Sequence, residues 1–191
     1  MNKKAFPLTN FGADGLEGSS LYCSEEAAAR LRSCLGSIPL RSVHLLGSGD
    51  RHYLTLFFLE RIAEPFQLIL FDNHPDDQPG AFGENLLSCG NWVLRARALP
   101  FCRGAVWVDG KGALHRRGED GAENLPSYIS VDLDILDKRF ARTNWDQGEM
   151  TLDDLLGRLH ALREERPVLG VDICGAPDCG HCIKEICRIW E

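Results

Sequence analysis

The sequence predicts a doubly wound α/β domain built on a mainly parallel sheet. Two observations carry that prediction. Five short runs are apolar almost without interruption: "SVHLLG" (42–47), "QLILFD" (67–72), "GAVWVD" (104–109), "YISVDL" (128–133) and "VLGVDI" (168–173). Parallel strands covered on both faces have this character, whereas strands with one wet face alternate. Helical patterns lie between several of the runs, and such β–α alternation builds a sheet with helices packed on it.

Each helix has a start, an inner face and a stop. Ser24 followed by Glu25 and Glu26 opens the first, Ala27, Ala28, Leu31 and Leu35 form its inner face, and Gly36 ends it. Leu54 to Glu64 reads as the second, closed by Pro65, and Asn91 to Leu99 as the third, closed by Pro100. Thr151 with Asp154 makes a capping-box-like start to a fourth, striped by Leu152, Leu155, Leu156, Leu159 and Leu162 and closed by Pro167. A short terminal helix presents Ile183, Ile186, Cys187 and Trp190. The polar, Gly-rich segment 110–124 reads as a surface loop.

A chain of 191 residues is long enough for one domain with a real core, so residues 1–191 are expected to form a single α/β domain with a Cys-rich segment at 172–191. The net charge of −7 argues against nucleic acid as the main partner. "MNKKAFPLTNFG" has no apolar stretch after its lysines, and no run approaches a membrane span, so a cytoplasmic protein without a membrane partner is expected.

In doubly wound folds ligands bind beyond the carboxyl ends of the strands. The residues just past those ends here are chemically distinctive. Asp50 and His52 come after the first run, Asp72, His74, Asp76 and Asp77 after the second, and Asp132 and Asp134 at the end of the fourth. In extended chain, residues two apart face the same way, so Asp72, His74 and Asp76 can converge on one point, as can Asp132 and Asp134. Carboxylates crowded at the end of a buried strand repel one another and resist desolvation, which calls for positive charge among them. Four carboxylates and two imidazoles form a hard-to-borderline donor set that suits Mn²⁺, with Fe²⁺, Zn²⁺ or Co²⁺ as alternatives. Two divalent ions would cancel the charge of the four acids.

These motifs resemble the ureohydrolase family of arginases, agmatinases and relatives. Its Gly-Gly-Asp-His, D-A-H-x-D and S-x-D-x-D-x-x-D segments are similar to "GSGDRH" (47–52), "DNHPD" (72–76) and "SVDLDILD" (130–137), in the same order, and "QGEMT" (147–151) is similar to the Gly-Gly-Leu-Thr that comes after them. The resemblance spans about Val43 to Cys174. It implies a three-layer α/β/α, arginase-like fold holding two Mn²⁺ per chain. His52, Asp72, Asp76 and Asp132 would hold one ion, and His74, Asp72, Asp132 and Asp134 the other, with Asp72 and Asp132 bridging. It further implies hydrolysis of a C–N bond in a guanidino, amidino or amide-type small molecule, with Asp134 and Asp76 as candidate catalytic groups. Gln78 and Asn91 are the candidate substrate contacts, and a homo-oligomer is the expected assembly.

Three departures from the family pattern stand out. Arg51 separates Asp50 from His52. "SCGNWV" (88–93) has Trp92 and Val93 where the family often has a histidine. Gly175, three residues after Asp172, occupies the place of a glutamate that grips the guanidinium. Two other functions are therefore weighed: a non-catalytic metal-binding pseudoenzyme, and a redox or metal-sensing protein run by the terminal cysteines. Of eight cysteines, Cys174, Cys179, Cys182 and Cys187 form a C-x₄-C-x₂-C-x₄-C pattern that includes "CGHC". They read as core thiols, as a second metal site or as a redox pair. Cys23, Cys34, Cys89 and Cys102 lack ligand spacing and read as core residues.

Overall fold

The computed structural model of the chain describes residues 5–11, 15–80, 86–175 and 179–191. In chain order its elements are β1 (Leu8–Asn10), β2 (Tyr22–Cys23), α1 (Glu25–Leu35), β3 (Val43–Gly47), α2 (Leu54–Leu59), β4 (Phe66–Phe71), β5 (Leu87–Ser88), α3 (Trp92–Arg97), β6 (Cys102–Val108), β7 (Leu114–Gly118), β8 (Ser127–Asp132), α4 (Leu152–Glu165), β9 (Val168–Cys174) and α5 (Gly180–Arg188). Seven strands form one sheet in the order β1-β3-β9-β8-β4-β6-β7, parallel except for the β6–β7 pair. β2 and β5 form a small antiparallel pair of their own.

The five apolar runs are the five inner strands, and every residue of β4 and β8 is buried. Two apolar clusters cover the sheet's faces, which gives three layers. One gathers Leu31 and Leu35 of α1 with Phe57 and Phe58 of α2 and Trp92 of α3. The other gathers Leu155 and Leu159 of α4 with Ile186 of α5, Val131 and Ile173.

The caps act as their chemistry requires. Ser24 Oγ accepts from Ala27 N at 3.1 Å, and Thr151 Oγ1 accepts from Asp154 N at 3.1 Å while its hydroxyl donates to Asp154 Oδ2 at 2.7 Å. Two helices are shorter than their apolar pattern. α2 ends at Leu59 rather than Glu64, and α3 spans 92–97 rather than 91–99. Both chains tighten into i→i−3 bonds as they leave the helix: Arg61 N to Phe58 O and Ile62 N to Leu59 O after α2, Ala98 N to Arg95 O and Leu99 N to Ala96 O after α3.

Segment 110–124 is not the loop its composition suggests. Its centre, Leu114–Gly118, is the antiparallel edge strand β7, held to β6 by backbone pairing. Edge strands are built of exposed polar residues, so "LHRRG" carries no apolar alternation. Its side-chain anchor is His115, which stacks on Trp107 at 4.4 Å and pairs with Asp109 at 2.7 Å.

No helix among the described residues is long and apolar enough to cross a membrane.

Candidate metal centre

The centre lies beyond the carboxyl ends of four adjacent strands, β3, β9, β8 and β4. His52 arrives from β3 through a single 3₁₀ turn, Gly49–Arg51, whose N-terminus Ser48 caps by accepting from Asp50 N. The turn absorbs the extra residue Arg51 and leaves Asp50 outside the centre, where its Oδ1 accepts from Asn144 Nδ2 and Trp145 Nε1, both at 3.0 Å. Asp72 follows β4, Asp132 ends β8, and Asp134 lies in the 3₁₀ turn that β8 runs into. Asp76 is reached through a left-handed backbone (φ 47°), a conformation rare outside glycine that is found preferentially at functional sites.

His52, Asp72, Asp76, Asp132 and Asp134 are buried, and His74, with a third of its side chain exposed, faces both the acids and solvent. His52 Nδ1 lies 3.0 Å from Asp72 Oδ2, 3.1 Å from Asp76 Oδ2 and 3.6 Å from Asp132 Oδ2. His74 Nδ1 lies 2.9 Å from Asp134 Oδ2 and 3.6 Å from Asp72 Oδ1. Asp72 thus divides its two oxygens between the two imidazoles. Two donor groups result, His52–Asp72–Asp76 and Asp72–His74–Asp134, sharing Asp72.

Backbone amides orient the acids. Asp72 Oδ1 accepts from His74 N at 2.6 Å, Asp132 Oδ1 from Asp134 N at 2.9 Å and Asp134 Oδ1 from Asn73 N at 3.0 Å. In each case Oδ2 is left facing an imidazole. Behind His52, its Nε2 meets Ser130 Oγ at 2.8 Å. When Nε2–H donates to Ser130, Nδ1 presents a lone pair to three carboxylates. Despite its short distances, buried Nδ1 has no hydrogen bond of acceptable geometry. A lone pair aimed at anions is repulsive unless a proton or a metal cation lies between them, and the donor set of these residues fits a divalent metal.

The titration pattern agrees. Burial, then the neighbouring Asp134 and Asp72, pushes Asp132 up to about 7. Burial and Asp72 push Asp134 up to about 6, with His74 opposing. Burial also raises Asp76, against the pull of His52. Hydrogen bonding to Asp134 and Asp72 raises His74 to about 10. Burial opposes a charged His52 ring, but Cys174, Asp72 and Asp76 outweigh it and hold its pKa well above the ordinary value. These are acids crowded closely enough to retain protons, which a metal would displace.

Two glycines enclose Asp132. A Cβ on Gly175, whose φ is +109°, would stand 2.1 Å from Asp132 Oδ1, and one on Gly49 would stand 2.8 Å from Asp132 Oδ2. Position 175 therefore has no room here for a side chain on this backbone.

The centre opens into a cavity of about 180 Å³ whose walls include Pro75, Gln78, Cys89, Gly90 and Trp145. Gln78 is thus on the wall. Asn91 is not: its Oδ1 accepts from Ser88 N and its Nδ2 donates to Leu86 O, both at 2.8 Å, so its amide ties the turn before α3. The four C-terminal cysteines do not converge. Cys174 lies beside the clustered acids, 3.2 Å from Asp132 Oδ2. The thiols of Cys179 and Cys182 both donate to Phe140 O, and Cys187 packs against the second apolar cluster. Burial and Cys179 push Cys182 up to about 12, opposite to the lowered pKa of a reactive CxxC thiol.

Three contributors had no role assigned from the motifs: Ser130 behind His52, Trp92 behind Asp76, and Trp145, whose ring meets His74 edge-on at 6.1 Å. Only Ser130 left a trace, since it lies two residues before Asp132 on the same strand face.

No family model matches the chain. It is 36% identical over 147 residues to an uncharacterised protein of Thermotoga maritima, covering 71% of this chain and 58% of that protein. Similar solved structures include a hypothetical agmatinase from Burkholderia thailandensis (19% identity, TM-score 0.61, 85% of this chain and 62% of that one). Others are formimidoylglutamase from Bacillus subtilis (14%, 0.63, 86% and 65%) and proclavaminate amidino hydrolase from Streptomyces clavuligerus (16%, 0.65, 87% and 68%). The chain has the arginase-like α/β fold of the ureohydrolases. It spans about three fifths of the length of the relatives named first in sequence and in structure.

Proposed function

We propose that this chain is a binuclear metal-dependent hydrolase that cleaves a C–N bond in a guanidino, amidino or amide-type small molecule. The observation that carries the reading is the division of Asp72, with Oδ2 toward His52 and Oδ1 toward His74. A carboxylate so placed, with separate acids completing each side, suits two ions rather than one. The oxygen- and nitrogen-rich donors favour Mn²⁺. Such ions, when bound, polarise the substrate and lower the pKa of a water to supply a nucleophile near neutral pH.

The chain's own residues supply the rest. His52 and Asp76 would hold one ion, His74 and Asp134 the other, with Asp72 and Asp132 common to both. Asp134, the acid paired with partly exposed His74, is the group best situated to take and return protons at the cavity. Asp76 serves as a ligand, its Oδ2 steadied by the Trp92 indole. Gln78 offers the wall an amide that can donate or accept. Among the described residues, the carboxylates on the cavity wall are Asp72, Asp76, Asp132 and Asp134, all turned to the candidate metal centre, and Gly175 offers none. A neutral substrate fits that wall better than a cationic guanidinium or amidinium, which favours amides within the class.

The test is metal content with activity. Chain reconstituted with Mn²⁺ should retain about two ions, and Asp72→Asn should lose both. A panel of guanidines, amidines and amides should then give urea or ammonia release. Fewer than two ions in the parent chain would overturn the binuclear reading. Full occupancy with no turnover on any substrate would favour a non-catalytic metal-binding protein, the reading that Gly175 supports.

A further inference from the structure

We infer that Cys174 is a sulfur ligand of this centre, making its two metal positions chemically unlike. The inference rests on the proposed metal site and extends it.

Cys174 is the last residue of β9, the strand between β3 and β8. In the parallel register its Cα is paired with Asp132 on one side and Gly47 on the other, so the fold sets it at the rim beside a ligand. The side chain is 2% exposed, and its Sγ stands 3.2 Å from Asp132 Oδ2. His52 Nδ1 approaches that same oxygen at 3.6 Å. His52, Asp132 and Cys174 therefore form a third compact donor group, with ligand atoms all within 4.8 Å of one another. A further sign of a ligand is His52 Nδ1, buried and without a hydrogen bond, which this group shares with Asp72 and Asp76.

The two sides then differ in softness. Nitrogen, oxygen and sulfur from His52, Asp132 and Cys174 select a borderline ion such as Zn²⁺ or Fe²⁺. Asp72, His74 and Asp134 offer no sulfur and suit Mn²⁺. Coordination replaces the S–H bond by a metal–sulfur bond, and the thiol proton passes to solvent. The remaining C-terminal cysteines lie elsewhere, two of them on Phe140 O.

Anaerobic Co²⁺ titration of the reduced full chain tests this, because sulfur-to-cobalt charge transfer gives a near-ultraviolet band that oxygen and nitrogen ligands do not. The expected result is two Co²⁺ bound with the band saturating at one per chain. Cys174→Ser should remove the band while cobalt still binds, and the Cys179→Ser/Cys182→Ser double variant should keep it. Zinc-loaded parent chain should show one sulfur at about 2.3 Å by X-ray absorption, a measurement that needs no variant. Two cobalt ions bound without the band, or a band lost with Cys179 and Cys182 instead, would overturn the role of Cys174 and leave the binuclear site standing. No cobalt binding at all would overturn both.

Discussion

Trp92 donates its indole N–H to Asp76 Oδ2 across 2.7 Å, and the same ring lies 4.9 Å, centroid to centroid, from His52. One buried side chain thus orients one candidate ligand and packs against another. Trp92→Phe keeps an aromatic ring against His52 and deletes the donor. Removing a partner behind a ligand weakens metal binding about ten- to hundredfold. Calorimetric titration with Mn²⁺ should show weakening of that order in a folded variant. An unchanged affinity would mean that Asp76 is not a ligand.

Stability without metal should fall as pH rises. The folded chain holds the Asp132 proton up to about pH 7 and the Asp134 proton up to about 6, both above the ordinary carboxylate value of 3.8. A group whose pKa is raised by folding favours the folded state below its unfolded value, and that favour is lost as pH climbs through the folded value. Those two acids therefore act between about pH 4 and 7. His74, raised from 6.5 to about 10, continues the trend in the same direction above them. The melting temperature of metal-free protein should drop from pH 5 to pH 8, and Mn²⁺ should restore more of it at pH 8 than at pH 5. A flat profile in the metal-free protein would contradict the crowding of these acids.

Gly175→Ala places a methyl where Asp132 Oδ1 now lies, on a backbone at φ +109°. Strain of about 1–2 kcal/mol is the least it should cost, since side chains resist that region. The larger effect should fall on metal retention, because Asp132 must move. Gly175→Glu should likewise lose metal rather than gain guanidinium binding. Elemental analysis beside thermal melts checks both, and an alanine variant with full metal content would refute the packing argument.

Thr151→Ala supplies the contrast. It removes the α4 cap, whose side chain bonds only Asp154 among the described residues, at a cost of about 1 kcal/mol. The melting temperature should fall by about 2–4 °C. Metal content should stay at the parent level, which separates general weakening from damage to the site.

The inner strands were legible because they are buried on both faces and so are apolar at every position, as β4 and β8 show. The clustering of the acids and histidines was legible because D-x-H-x-D and D-x-D write a shared direction into alternate residues. The hidden part depends on contacts distant in sequence. Ser130 reaches His52 across 78 residues and Trp145 reaches Asp50 across 95. Asn91 was expected to meet substrate, but an amide that can close a turn on Ser88 and Leu86 needs only its neighbours. Cys174 shares a spacing pattern with Cys179, Cys182 and Cys187, yet it sits at the end of β9 while Cys182 and Cys187 lie on α5. Strand β7 escaped because backbone pairing, rather than apolar patterning, holds it.

The single turn Gly49–Arg51 shows how an insertion can go unnoticed by chemistry. An added residue is wound up locally, the acid is released to the exterior, and the imidazole is delivered inward all the same. A search that demands an aspartate immediately before the histidine would pass over such chains, whereas one that asks which side chain reaches the rim would find them.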